Sequence, residues 1–166
     1  MQAPLESSGP VAAYRFLTTW CIDAPVERVF DAIHDVERWP EWWRGVEAVR
    51  ILEPGDDLGV GQLTRYTWRS RLPYSLAFEM RTTRVDRPWL MEGEARGELA
   101  GHGRWRLYDG RGTAVVYEWD VRTTAPWMNV LAPIARPAFA WNHDVVMRSG
   151  GRGLARLLGT RLVAID

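Results

Sequence analysis

Between residues 61 and 123, apolar and charged side chains alternate with a period of two, broken only at turn residues. That period belongs to a β-strand with one dry and one wet face, and a series of such segments commits most of the chain to an antiparallel sheet. The segments are 61–69, 74–86, 89–99, 102–109 and 113–123, and "DGRG" at 109–112 is the clearest hairpin turn. One face carries Thr64, Tyr66 and Trp68, then Leu76, Phe78, Met80 and Thr82, then Met91, Gly93, Ala95, Gly97 and Leu99. It continues with Gly103, Trp105 and Leu107 and with Val115, Tyr117, Trp119 and Val121. The opposite face carries arginines and carboxylates of interleaved sign, from Arg65 and Glu79 to Glu118, Asp120 and Arg122. Interleaving of this kind predicts cross-strand ion pairs, and the acidic run at 92–98 is read that way rather than as catalytic.

The dry face is uneven in size. Large rings on most strands confront a strand of Met91, Gly93, Ala95 and Gly97. Glycine within a strand marks a close approach by backbone or ligand. A sheet bowed over small residues and walled by large ones leaves a hollow unless a helix fills it.

The remaining segments supply that helix and the rest of the frame. Residues 14–22 alternate too, placing Tyr14, Phe16, Thr18, Trp20 and Ile22 on one side. "DAPVERVFDAIHD" follows, with Asp23 as cap, Pro25 in the first turn, and Val26, Val29, Phe30 and Ile33 at helical spacing. Asp35 caps a second short helix that Pro40 limits. Residues 46–53 form a strand and "EPGDDLG" at 53–59 a turn. From 125 to about 159 the pattern is helical, with a broken first part at Pro133 and Pro137 and fraying or bending at "SGGRG", 149–153. Helical spacing puts Trp127, Leu131, Ile134, Ala138, Trp141 and Val145 on its inner arc, with Asn142 at the edge and His143 turned away. One strand, two short helices, six strands and a long helix make an α+β fold with seven antiparallel strands.

Composition removes several functions. The 166 residues suit one domain, set at 13–160 behind a loose leader over 1–12. "MQAPLESSGP" is no secretory signal, and no apolar run is long enough to span a bilayer, so a cytoplasmic location is expected. Basic and acidic residues balance at 21 each, which argues against nucleic acid as the partner. Every basic residue is arginine, so Schiff-base and P-loop lysine chemistry are absent. Cys21 is the only cysteine, and His34, His102 and His143 have no metal-ligand spacing, so neither a metal nor another cofactor is expected.

"IDAPVERVFDAIHDVERWPEWWRGV", then "GRWRLYD", "GTAVVYEWDVRTT" and "AFAWNHDVVMRSGGRGLARLLG", resemble the START-like helix-grip proteins, also called SRPBCC or polyketide cyclase/dehydrase-like, whose type member is the major birch pollen allergen. The resemblance runs over residues 13–159. It implies a seven-stranded sheet gripping the long C-terminal helix, a cavity between them, and two short helices closing one end. Members bind lipids, sterols, polyketides or plant hormones, and some cyclise or dehydrate polyketides. The reading for this chain is binding of a hydrophobic or aromatic small molecule, lipid- or polyketide-like. The alternative is a polyketide cyclase or dehydrase acting in the same cavity, and a protein-binding adaptor is a third class. The expected ligand-binding residues are Trp20, Trp42, Trp43, Tyr66, Trp68, Phe78, Met80, Met91, Trp105, Tyr117, Trp119 and Trp141. Within "VERWPEWW", Trp42 or Trp43 points inward, and core and ligand roles stay open for all three tryptophans.

Overall fold

The computed structural model describes residues 13–69, 75–124 and 126–166, leaving aside the side chains of 126–129 and 131–135. The leader expected over 1–12 lies outside the described residues, as do the side chains of Trp127, Leu131 and Ile134. In chain order the elements are β1 (Ala13–Ile22), α1 (Val26–His34), a 3₁₀ turn (Val36–Arg38), α2 (Trp39–Trp42), β2 (Val46–Glu53), β3 (Leu63–Arg69) and β4 (Ser75–Asp86). They continue with β5 (Leu90–Gly97), β6 (Leu99–Asp109), β7 (Thr113–Thr123), α3 (Pro126–Leu157) and β8 (Leu162–Ile165).

All strands pair antiparallel in one sheet ordered β2-β3-β4-β5-β6-β7-β1-β8. The register joins like with like across the dry face: Tyr66 opposite Phe78, Gly93 opposite Gly103, Trp105 opposite Tyr117, Trp119 opposite Phe16. The wet face is laced by Arg15–Asp120 at 2.8 Å, Arg65–Glu79 at 2.6 Å, and Arg104 shared between Glu92 and Glu118. The interleaved charges are therefore cross-strand pairs, and each contributes about 1 kcal/mol or less at such exposure.

The sheet has eight strands, not seven. After α3 the chain turns back and β8 pairs with β1, beyond the boundary expected at residue 160. Four residues, LVAI, show no alternation, and their strand state comes from the free edge of β1 beside them.

The ends of the short helices also differ from the sequence reading. Neither Asp23 nor Asp35 caps through its side chain, and the Asp23 carboxylate instead pairs with Arg161 at 2.9 Å. Pro40 opens α2 rather than limiting it, where its missing N–H has no helical partner to lose. Pro133 and Pro137 do not interrupt α3. Each deletes one amide donor, and the neighbouring turns carry the helix across.

"SGGRG" neither frays nor forms a weak end. Gly150, Gly151 and Gly153 are buried where α3 meets the tryptophans. A Cβ on Gly150 would stand 2.4 Å from the Trp43 ring, one on Gly151 3.0 Å from Trp20, and one on Gly153 1.9 Å from the Trp42 carbonyl oxygen. The Trp43 indole N–H donates to the Val146 carbonyl at 2.9 Å, directly beside this bare stretch. Absence of side chains lets α2 and β1 press against the α3 backbone, set against a helix-propensity cost of roughly 1 kcal/mol per glycine.

Candidate functional site

Two packed cores lie on the dry side of the sheet. The larger gathers Trp20, Ile22, Phe30, Ile33, Trp39, Trp42, Trp43 and Trp105 under the short helices. The smaller joins Tyr14, Ala95, Leu99, Trp119 and Val121 at the other end. Phe78, Met80 and Tyr117 touch both. Between the cores, under α3, a cavity of about 220 Å³ remains.

Nine of the twelve expected residues line it. Trp43 comes from the segment after α2, Tyr66 and Trp68 from β3, and Phe78 and Met80 from β4. Met91 comes from β5, Trp105 from β6, and Tyr117 and Trp119 from β7. The rings form a continuous wall: Trp105 stacks on Tyr117 at 4.0 Å, Tyr117 on Trp119 at 5.9 Å, and Phe78 on Tyr66 at 5.7 Å. Gly103 supplies the floor, since a Cβ there would stand 2.9 Å from the Trp119 ring and 3.2 Å from the Tyr117 hydroxyl.

Three expected residues do not line the cavity. Trp20 is 1% exposed and sits behind the wall, with ring centres 5.4 Å from Trp43 and 5.5 Å from Trp105. Trp42 is buried against Trp43 at 5.4 Å and against the α3 backbone at Gly153. Trp141 is 49% exposed on the outer side of α3. Its expected inward position follows from the apolar arc read along the helix, but the described part of α3 packs through a different face. The face that packs runs through Phe139, Asn142, His143, Val146 and Met147 to Gly150. That is a rotation of about 130° from the expected arc.

The structure also brings in residues that the sequence reading did not select. Trp39 lines the cavity with Trp43, which follows α2 in extended backbone, while Trp42 does not line it. The spacing of the three tryptophans does not separate Trp42 from Trp43, since both i+3 and i+4 share a face with Trp39. Tyr14, Phe16, Phe139, Asn142 and His143 complete the end near β1 and α3. Their signal lay in the glycines, whose spacing back along α3, from 150 to 146, 143 and 139, marks the packed face.

Polar groups within the wall fall into two kinds. The Trp39 and Trp43 indoles are spent on the scaffold, donating to the Ile33 and Val146 carbonyls at 2.9 Å each. By contrast, the Tyr14 hydroxyl, Trp68 Nε1, Asn142 Oδ1 and both ring nitrogens of His143 are buried without a hydrogen-bond partner. Trp20, Trp42 and Arg106 also carry such atoms, away from the cavity. His143 Nδ1 stands 3.8 Å from the Asp144 carboxylate, too far for a hydrogen bond. An unmet buried group costs about 1–3 kcal/mol, so a partner for these atoms inside the cavity would be stabilising.

Burial also sets the charge state. It pushes the Tyr66 and Tyr117 phenols up, with the Thr64 hydroxyl pulling Tyr66 slightly back, so both remain protonated donors. It pushes the His143 imidazole down to about 4, against a weaker upward pull from Asp144, so the ring is neutral near pH 7. No arginine lines the cavity among the described residues. Glu92 contributes to the lining, but its carboxylate is held by Arg104 on the wet face. Among the described residues no three His, Cys, Asp or Glu side chains gather to hold a metal ion, and no helix is long and apolar enough to cross a membrane.

A single antiparallel sheet bent round a long C-terminal helix, with an aromatic hollow between them, defines a START-like helix-grip protein. Residues 22–146 match the family described as polyketide cyclase / dehydrase and lipid transport, and the chain belongs to that family. Among solved structures it is similar to the di-domain aromatase/cyclase BexL, with TM-score 0.68 and 18% identity over 87% of this chain and 49% of BexL, about half that protein's length. It is similar to the Zhui aromatase/cyclase of a Streptomyces species, with TM-score 0.69 and 18% identity over 90% of this chain and 94% of that one. A Thermus thermophilus protein gives TM-score 0.70 and 19% identity over 90% and 98% of the two chains. At these identities the likeness is one of fold. No curated protein matches the sequence.

Proposed function

We propose that the protein binds a hydrophobic, aromatic small molecule in the cavity between its sheet and α3. The observation that carries this is the lining: stacked rings from β3, β4, β6 and β7 around about 220 Å³ of free space, without a described arginine. Aromatic walls offer large contact area and offset or edge-to-face partners for flat rings. A hole of about 150 Å³ is known to admit benzene, so this one has room for one or two fused rings. Zero net charge and a wet face laced with ion pairs support a small molecule rather than a nucleic acid as partner.

Catalysis as a polyketide cyclase or dehydrase is the second reading, supported by the family and by the aromatase/cyclase names of BexL and Zhui. The protonated Tyr66 and Tyr117 phenols are suited to donate to an enolate oxygen. His143 is poorly suited as a base, because a pKa of about 4 leaves little proton affinity near neutral pH. Chemistry here would rest on the pocket folding a reactive chain, and for that reason binding is placed first.

The test is native mass spectrometry of the purified protein together with calorimetric titration of naphthalene into wild type and Met80→Trp. Binding that weakens about tenfold or more in the filled variant supports the cavity. Repeated bare protein and no heat with naphthalene reject it.

A further inference from the structure

The unmet polar atoms are not scattered around the cavity. Most belong to one end, where β1 meets α3. Tyr14 and Phe16 stack at 5.9 Å, and Phe16 stacks on the His143 imidazole at 4.0 Å, a run of three rings with Asn142 next to His143 on the helix. Phe139 meets Tyr14 edge-on at 5.9 Å and closes the group. The polar atoms at this end without partners are the Tyr14 hydroxyl, Asn142 Oδ1 and the two His143 nitrogens.

Their chemistry dictates what can satisfy them. Asn142 Oδ1 only accepts, so the ligand must bring a donor. A neutral imidazole presents one donor and one acceptor, and the tyrosine hydroxyl does both, so the ligand must also offer an acceptor. The charged groups nearby are Arg136 and Asp144. The Arg136 guanidinium lies over the outer side of Tyr14, 5.5 Å from the ring centre, and donates to the Ala13 carbonyl at 2.6 Å. Asp144 is exposed and does not line the cavity. Neither does Arg136. Burial holds the Tyr14 phenol above its usual range, outweighing the Arg136 charge that favours an anion at that hydroxyl, so an ionised carboxylate placed there would be desolvated without a direct partner.

We propose that the β1–α3 end is a hydroxyl-recognising subsite, and that the protein takes a neutral hydroxylated aromatic of one or two rings in preference to a carboxylate of the same size. This rests on the cavity being the binding site, and the experiment separates the two. Calorimetry near neutral pH compares 1-naphthol, naphthalene and 1-naphthoate on wild type, Asn142→Leu and Tyr14→Phe. Wild type is expected to bind the naphthol about tenfold more tightly than either naphthalene or the naphthoate. Each variant is expected to shrink the naphthol-to-naphthalene ratio to about two- to threefold while naphthalene binding persists. Equal affinity for naphthol and naphthalene in wild type, or tightest binding of the naphthoate, overturns the subsite while leaving an apolar cavity. Absence of binding by all three overturns the cavity reading as well. The wild-type ratio decides without any variant, so a variant that misfolds does not shield the proposal.

Discussion

Alanine at Gly153 sets two physical effects against each other. Helix propensity favours it: replacing glycine inside α3 is worth about 1 kcal/mol of added stability. Packing opposes it. The new Cβ would lie 1.9 Å from the Trp42 carbonyl oxygen and 2.9 Å from its carbon. The obstacle is backbone and cannot rotate aside, so α2 and α3 must separate by about 1 Å or more to reach ordinary contact distance. Overpacking of a rigid interface costs about 1–3 kcal/mol and sometimes more, and a backbone clash belongs at the upper end. The net expectation is about 2 kcal/mol of destabilisation, a fall in Tm of about 4–8 °C for a chain this long. Thermal and urea melts followed by circular dichroism measure it. The near-ultraviolet spectrum should change too, because Trp42 and Trp43 ride on the displaced segment. A Gly153→Ala protein as stable as wild type, or more so, would refute the claim that bare backbone is what α2 packs on.

Stability should fall on acidification. His143 has a folded pKa of about 4 against an ordinary 6.5, and its side chain is only 13% exposed. Above pH 6.5 neither state is protonated there. Between 6.5 and 4 the unfolded chain takes up a proton that the folded one refuses, so stability drops by up to about 3 kcal/mol, a slope that His143→Phe should flatten in urea melts across that range. Thr113→Val should cost about 1–3 kcal/mol by the same melts, because the buried Thr113 hydroxyl donates to the Ala24 carbonyl at 2.7 Å and valine leaves that oxygen unmet. Arg104→Ala, despite breaking contacts to Glu92 and Glu118, should cost about 1 kcal/mol or less, and less still at high salt.

What the sequence made legible follows from how each signal is written. The sheet face is a local alternation, and Tyr66, Phe78, Trp105 and Trp119 all point where the period of two sends them. The helix face is not local in the same way. α3 carries apolar residues on more than one side, so counting them favoured the arc through Trp141, while the packed side is chosen by fit against Trp20, Trp42 and Trp43. Fit is encoded there by the absence of side chains at Gly150, Gly151 and Gly153, which a search for apolar stripes reads as weakness. His143 followed the helix: once the face turns, a residue read as turned away from the cavity becomes part of its lining. β8 was missed for a related reason, since four residues acquire strand geometry only from the edge of β1.

The placement of β8 has a mechanical outcome. α3 leaves the sheet from β7 and returns to it as β8, and these two strands flank β1 on either side. Asp166 exchanges two backbone bonds with Thr19, and Arg161 and Thr160 both reach Asp23, so the far end of the helix is fastened to the sheet. A rod pinned at that tip to a neighbouring rail cannot swing outward there like a door. The proposed ligand is therefore expected to enter and leave away from the C-terminal end of the long helix, and the rate of its exchange should not report on that end.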